Sequence, residues 1–118
     1  MITLDPHVVL VTLESPSRAA MLLRDGGYLV TKVDPDEALL AVASLAPDAM
    51  VVELTAFRLV SFLRSLDRAQ PEVPALVITM APSLFHARQA IDRRDIETEL
   101  VNAVDRMLAD AHPMTMPA

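Results

Sequence analysis

Few residues in this chain have the types and spacing to do chemistry. There are no cysteines, which excludes thiolate nucleophiles, thiolate metal sites and disulfides together. His7, His86 and His112 do not fall at metal-ligand spacing and read as surface or edge histidines. Ser15 and Ser17 have no neighbouring histidine that would make either a nucleophile. Gly26-Gly27 follows a helix-like stretch rather than opening one, so it is not a phosphate loop. What remains is Glu53 at the end of one apolar run, Thr79 at the end of another, and a single basic cluster of Arg88, Arg93 and Arg94. Arginine suits the recognition of carboxylates and phosphates. The cluster is therefore a candidate contact face, or a site for an anionic ligand such as a nucleotide; the plainer reading is a charged helix face in water. Phe57, Leu59 and Phe85 are candidates for an apolar contact patch, though core positions would also suit them. We expect no catalytic residue, no metal and no cofactor.

The composition frames these groups. The chain has 118 residues, enough for one domain with a single core. Hydrophobic residues make up 53% of it and aromatics 3%, so the core must be aliphatic, with methionine as filler. A net charge of −6 repels phosphate backbones and anionic lipid, which makes nucleic acid and membrane poor partners. No apolar stretch approaches the roughly 20 residues that span a bilayer, and the start of the chain lacks a signal-peptide pattern. A cytoplasmic location is the natural expectation, with residues 1–112 as one domain and residues 113–118 as a frayed tail.

Strand-like and helix-like segments alternate. His7 to Val11 is a continuous apolar run of the kind buried on both faces of a sheet. Ser15-Pro16 should open a helix that stops at Asp25-Gly26-Gly27. Tyr28 to Val33 alternates, as a strand near a sheet edge would. Asp34-Pro35-Asp36-Glu37 has the form of a helix start with a capping box. Ala49 to Leu54 is a third strand, a helix should run from Phe57 to Arg68, and Ala75 to Thr79 is a fourth strand. This alternation predicts an α/β fold with a parallel sheet covered on both faces. Ile96, Leu100, Val104 and Leu108 then mark an amphipathic helix, with Asp95 as its cap. Leu84, Phe85, Ala87 and Ile91 could form a helix before it, or the two could run together.

The ordered set Leu22 to Tyr28, Asp36 to Leu39, Pro47 to Leu54 and Val73 to Thr79 resembles the receiver domain of two-component response regulators. The resemblance covers roughly residues 7 to 80 and implies a flavodoxin-like fold. It also implies an aspartate phosphoacceptor at the end of strand three, acidic residues after strand one that hold Mg²⁺, and a lysine after strand five. Here the acceptor position is Glu53. The acidic pair falls on Thr12 and Leu13, with only Glu14 one step beyond, and Lys32 sits on strand two. Only the Thr79 position, a switch-type hydroxyl in the family, is kept, and it could equally cap the next helix. Glu53 could stand in for a phosphorylated acceptor, or be an ordinary polar residue at a strand end. Conventional aspartate phosphorylation is not expected.

The segment after Thr79 looks too short for a helix, a fifth strand and their turns. We therefore expect a sheet of order 2-1-3-4 with strand five lost and replaced by helix. An open fourth strand would need a cover, which points to a homodimer through strand four or the helices after Pro82. With no output domain after residue 110, the chain should act in bacterial signal transduction by binding protein partners, independently of phosphorylation. An anionic-nucleotide module built on Arg88, Arg93 and Arg94 is the rival reading.

Overall fold

The computed structural model describes residues 5–69, 71–84 and 89–111. Five strands form one parallel sheet: β1 (His7–Thr12), β2 (Leu29–Val33), β3 (Ala49–Glu53), β4 (Ala75–Thr79) and β5 (Gln89–Asp92), in the order β2-β1-β3-β4-β5. The helices are α1 (Arg18–Asp25), α2 (Ala38–Leu45), α3 (Ala56–Ala69) and α4 (Ile96–Ala111). The α/β, flavodoxin-like class expected from the alternation is the one observed.

The sheet separates two apolar layers, and strand alternation assigns residues to them. Val8 and Leu10 of β1, Val51 of β3 and Leu76 and Ile78 of β4 pack with Leu23 of α1 and Leu100 and Val104 of α4. Val9, Val11, Met50, Val52 and Val77 face the other way, against Val42 of α2 and Leu59, Phe62 and Leu66 of α3. Burial on both faces is why β1, β3 and β4 read as unbroken apolar runs. Leu59, a candidate for the contact patch, is wholly buried in this second layer.

The fifth strand corrects the expected topology. It pairs parallel with β4, from Leu76 opposite Gln89 to Thr79 opposite Asp92. Only Ala90 and Ile91 of its four residues are apolar, so the segment holds strand geometry through β4 and α4 rather than through local propensity. Single 3-10 turns at Pro82–Leu84 and Arg93–Asp95 take up the slack, and Ile91 is in the strand rather than a helix. Because β4 is hydrogen-bonded on both sides, a dimer formed by pairing across an open β4 edge has no edge to use. Phe85, His86 and Arg88 lie outside the described residues, as do His112 and the tail.

Local signals differ in smaller ways. Ser17, not Ser15, caps α1, its hydroxyl accepting the Ala20 N–H at 3.2 Å, and Ser15-Pro16 is a cis peptide just before it. Asp34 turns back on its own chain, its carboxylate accepting the Asp36 N–H at 2.9 Å. The helix waits until Ala38, and Glu37 provides no side-chain cap. Asp92 caps the turn before α4 by accepting the Arg94 N–H at 2.9 Å. Gly27 has φ +96°, which explains a glycine there. Tyr28 lies just before β2 and donates to Asp105 of α4; burial, then this hydrogen bond, raises its phenol above the ordinary range. Among the described residues, no helix is long and apolar enough to cross a membrane.

Candidate functional site

Parallel strands deliver their carboxyl ends to one edge of the sheet, where α/β proteins bind and react. Here the register places Thr12 opposite Glu53, Glu53 opposite Ile78, and Thr79 opposite Asp92. Glu14, Ser17 and Arg93 follow immediately in the loops and turns beyond. Glu53 is the centre of the group and is only 2% exposed. Its Oε1 accepts the Thr12 hydroxyl at 3.0 Å and the Ser17 hydroxyl at 3.4 Å. Its Oε2 is buried with no hydrogen-bond partner.

This environment holds the Glu53 pKa above the ordinary carboxylate range. Burial is the first cause and the nearby Glu14 carboxylate the second; the Thr12 hydrogen bond, the Arg93 charge and the Ser17 hydrogen bond oppose them. Arg93 is the counter-charge. Its guanidinium donates to the Glu14 carboxylate, which raises its own pKa further, and its field also reaches Glu53. Lys32 of β2 adds a second cation, donating to the Glu14 carbonyl oxygen at 3.2 Å. The two carboxylates thus share a site whose positive charge comes from the chain itself.

The expected site residues separate clearly. Glu53, Thr12 and Glu14 come together. Leu13 is half exposed between them and makes no polar contribution. Thr79 is buried, but its hydroxyl accepts the Ala81 N–H at 3.2 Å, and no hydrogen bond joins it to Glu53 among the described residues. That hydroxyl shapes the turn after β4, a hydrogen bond two residues along the chain rather than a cap on the 3-10 turn at Pro82–Leu84. The arginine cluster does not converge on an open anion site. Arg93 is engaged by Glu14, while Arg94 folds back on Asp92 through Nε at 3.0 Å and Nη2 at 2.7 Å. Those Arg94 hydrogen bonds hold the Asp92 carboxyl down at about 2.

Sequence pattern alone does not join Ser17, Lys32 or Arg93 to Glu53. Ser17, a serine with no histidine near it in sequence, both caps α1 and donates to Glu53. In sequence Arg93 belongs to a basic cluster suited to a contact face or an anionic ligand, and a sheet without β5 gives no reason to bring it to Glu53. The pair Ala90-Ile91 followed by Asp92-Arg93 was the available signal: a minimal apolar strand core with a cation at its carboxyl end. Among the described residues, no group of three or more histidines and carboxylates is placed to hold a metal ion.

A sensor protein from Polaromonas sp. JS666 superposes with a TM-score of 0.75 at 20% identity, over 90% of this chain and 98% of that one. NtrX from Brucella abortus, in its complex with ADP, gives a TM-score of 0.71 at 22% identity over 92% of this chain. This chain spans only 27% of NtrX. These likenesses show a receiver-like fold. Protein-family models yield no match to the chain, and curated proteins yield none that is significant.

Proposed function

We propose that this chain is a pseudo-receiver: a cytoplasmic, non-enzymatic domain of bacterial signal transduction that acts through protein–protein contact, as a homodimer, without being phosphorylated. The observation that carries this reading is Glu53. The residue at the acceptor position of the resembling family is buried, capped by Thr12 and Ser17 and carries a raised pKa. A nucleophilic carboxylate needs an exposed, ionised oxygen and a cation to neutralise the incoming phosphoryl oxygens. Here the nearest guanidinium is already committed to Glu14. A phosphoryl group on Glu53 would place up to about two negative charges beside the Glu14 carboxylate. Replacing the metal and lysine of the family by an internal Arg93–Glu14 pair gives one fixed electrostatic state in place of two. A partner would recognise that fixed surface, and regulation would come from partner availability, dimerisation or expression level.

Incubation with acetyl phosphate and Mg²⁺ followed by intact-mass analysis tests the reading. No phosphoryl adduct is expected for the wild type or for Glu53→Asp, because shortening the side chain restores neither the acidic pair nor the free cation. An adduct on either protein would overturn it.

A further inference from the structure

A second surface, which shares no residue with the Glu53 group, lies between α3 and the turn leading into α2. It is a groove of about 560 Å³. Leu39, Phe62 and Pro35 give it an apolar lining. Phe57, in the first turn of α3, stands at its rim and is 86% exposed. The chain has only three phenylalanines, so two of them at one groove, one of them bare, is a marked concentration. Exposed aromatic side chains beside an apolar recess are the usual anchors of protein interfaces.

The charges around the groove narrow the choice of occupant. The α3 wall is basic. Arg58 lines the groove, and Phe57, Ser61, Arg64 and Arg68 follow one another at i, i+4, i+7 and i+11 along the exposed face of the helix. The opposite wall is acidic: Asp36 lines the groove, with Asp34 and Glu37 exposed beside it. Neither Arg58 nor Asp36 makes an ion pair among the described residues. An acidic partner would meet the carboxylates of one wall, and a basic partner the guanidinium groups of the other. A surface carrying both signs on either side of an apolar recess is complementary to itself under a two-fold rotation.

We propose that this groove is a homodimer interface in which Phe57 of each copy enters the recess of the other, between Leu39 and Phe62. Arg58 of each copy then faces Asp36 of its partner. The proposal rests on the reading of the chain as self-associating and supplies the face that an open β4 edge cannot.

Sedimentation velocity across a concentration series is the test, with circular dichroism to confirm folding. The wild type sediments as a dimer at high concentration. Phe57→Ser weakens the dimer about 30-fold or more, as loss of an interface anchor does. Because Phe57 is solvent-exposed, the variant stays folded. Arg58→Glu alone and Asp36→Arg alone each place like charges together twice and weaken self-association about tenfold. An equimolar mixture of the two dimerises again, since every facing pair is then opposite in sign. A wild type that stays monomeric to about 1 mM would overturn the proposal. So would a dimer indifferent to Phe57→Ser, or single variants that the mixture does not rescue. A dimer indifferent to these changes would leave the phosphorylation-independent reading standing, whereas a phosphoryl adduct would leave the dimer face standing.

Discussion

Leu100→Ala is expected to lower the unfolding free energy by about 2–5 kcal/mol, the range for emptying a fully buried leucine site. Leu100 has no exposed surface and sits in the layer where α4 meets α1 and the strands. On the scale of about 5–15 kcal/mol for a whole domain, that is a large share of the stability. The damage should not be confined to the helix. β5 has only two apolar residues of its own, and it is held between β4 and the layer that α4 completes. Arg93 follows β5 directly, so loosening α4 also loosens the cation that faces Glu14 and Glu53. Urea denaturation monitored by circular dichroism measures the first effect. Hydrogen exchange at Ala90 and Ile91 measures the second, and protection there should fall more than in β1. A loss below about 1 kcal/mol would mean that α4 is not the clamp described here.

Glu53→Gln should stabilise the protein, by on the order of 1 kcal/mol, at pH values where Glu53 is ionised, because the buried charge is removed while the group at the Oε2 position stays without a partner. The side chain keeps its shape, and its amide oxygen can still accept from Thr12 and Ser17. The charge that burial and Glu14 disfavour is removed. The sign with pH follows from linkage. Glu53 has a folded pKa above its unfolded value, so the folded state holds its proton where the unfolded state has lost it. Its cost is absent below the ordinary carboxylate range, grows as pH rises through the folded pKa, and is constant beyond it. The advantage of glutamine should therefore vanish in acid and grow as pH rises above the ordinary carboxylate range. Asp92 and Glu97 have lowered values, set by Arg94 and Arg18, and act in the opposite sense; their stabilisation is lost as pH falls. They are common to both proteins and cancel in the difference. Parallel urea titrations from acid to neutral pH measure that difference, and a glutamine variant less stable at neutral pH would show that the carboxylate is favoured where it lies.

Much of the fold could be read from local pattern because the strands at the centre are buried on both faces. The runs at Val8 to Val11, Met50 to Val52 and Leu76 to Ile78 have no other good explanation, and the spacing of Ile96, Leu100, Val104 and Leu108 defines α4. Glu53 and Thr79 were located for the same reason, each standing at the end of such a run. What escaped was non-local. Gln89–Asp92 becomes a strand only because β4 offers an edge and α4 covers it, and neither fact is visible in four residues. The Arg93–Glu14 pair joins positions 79 apart in the chain. The choice of Ser17 over Ser15 as cap depends on a turn that brings its hydroxyl to both Ala20 and Glu53. An error about one short strand thus became an error about the site, since the missing strand carried the missing cation.

The most direct test of a carboxyl-end site already neutralised from within is the ¹⁵N amide spectrum with and without Mg²⁺ plus beryllofluoride, a phosphoryl mimic. The expected result is an unchanged spectrum at Glu53, Glu14, Thr79 and Arg93, because the place of cation and phosphoryl group is filled by the Arg93–Glu14 pair. Saturable shifts confined to those residues would show that the site still binds both, and would contradict the pseudo-receiver reading.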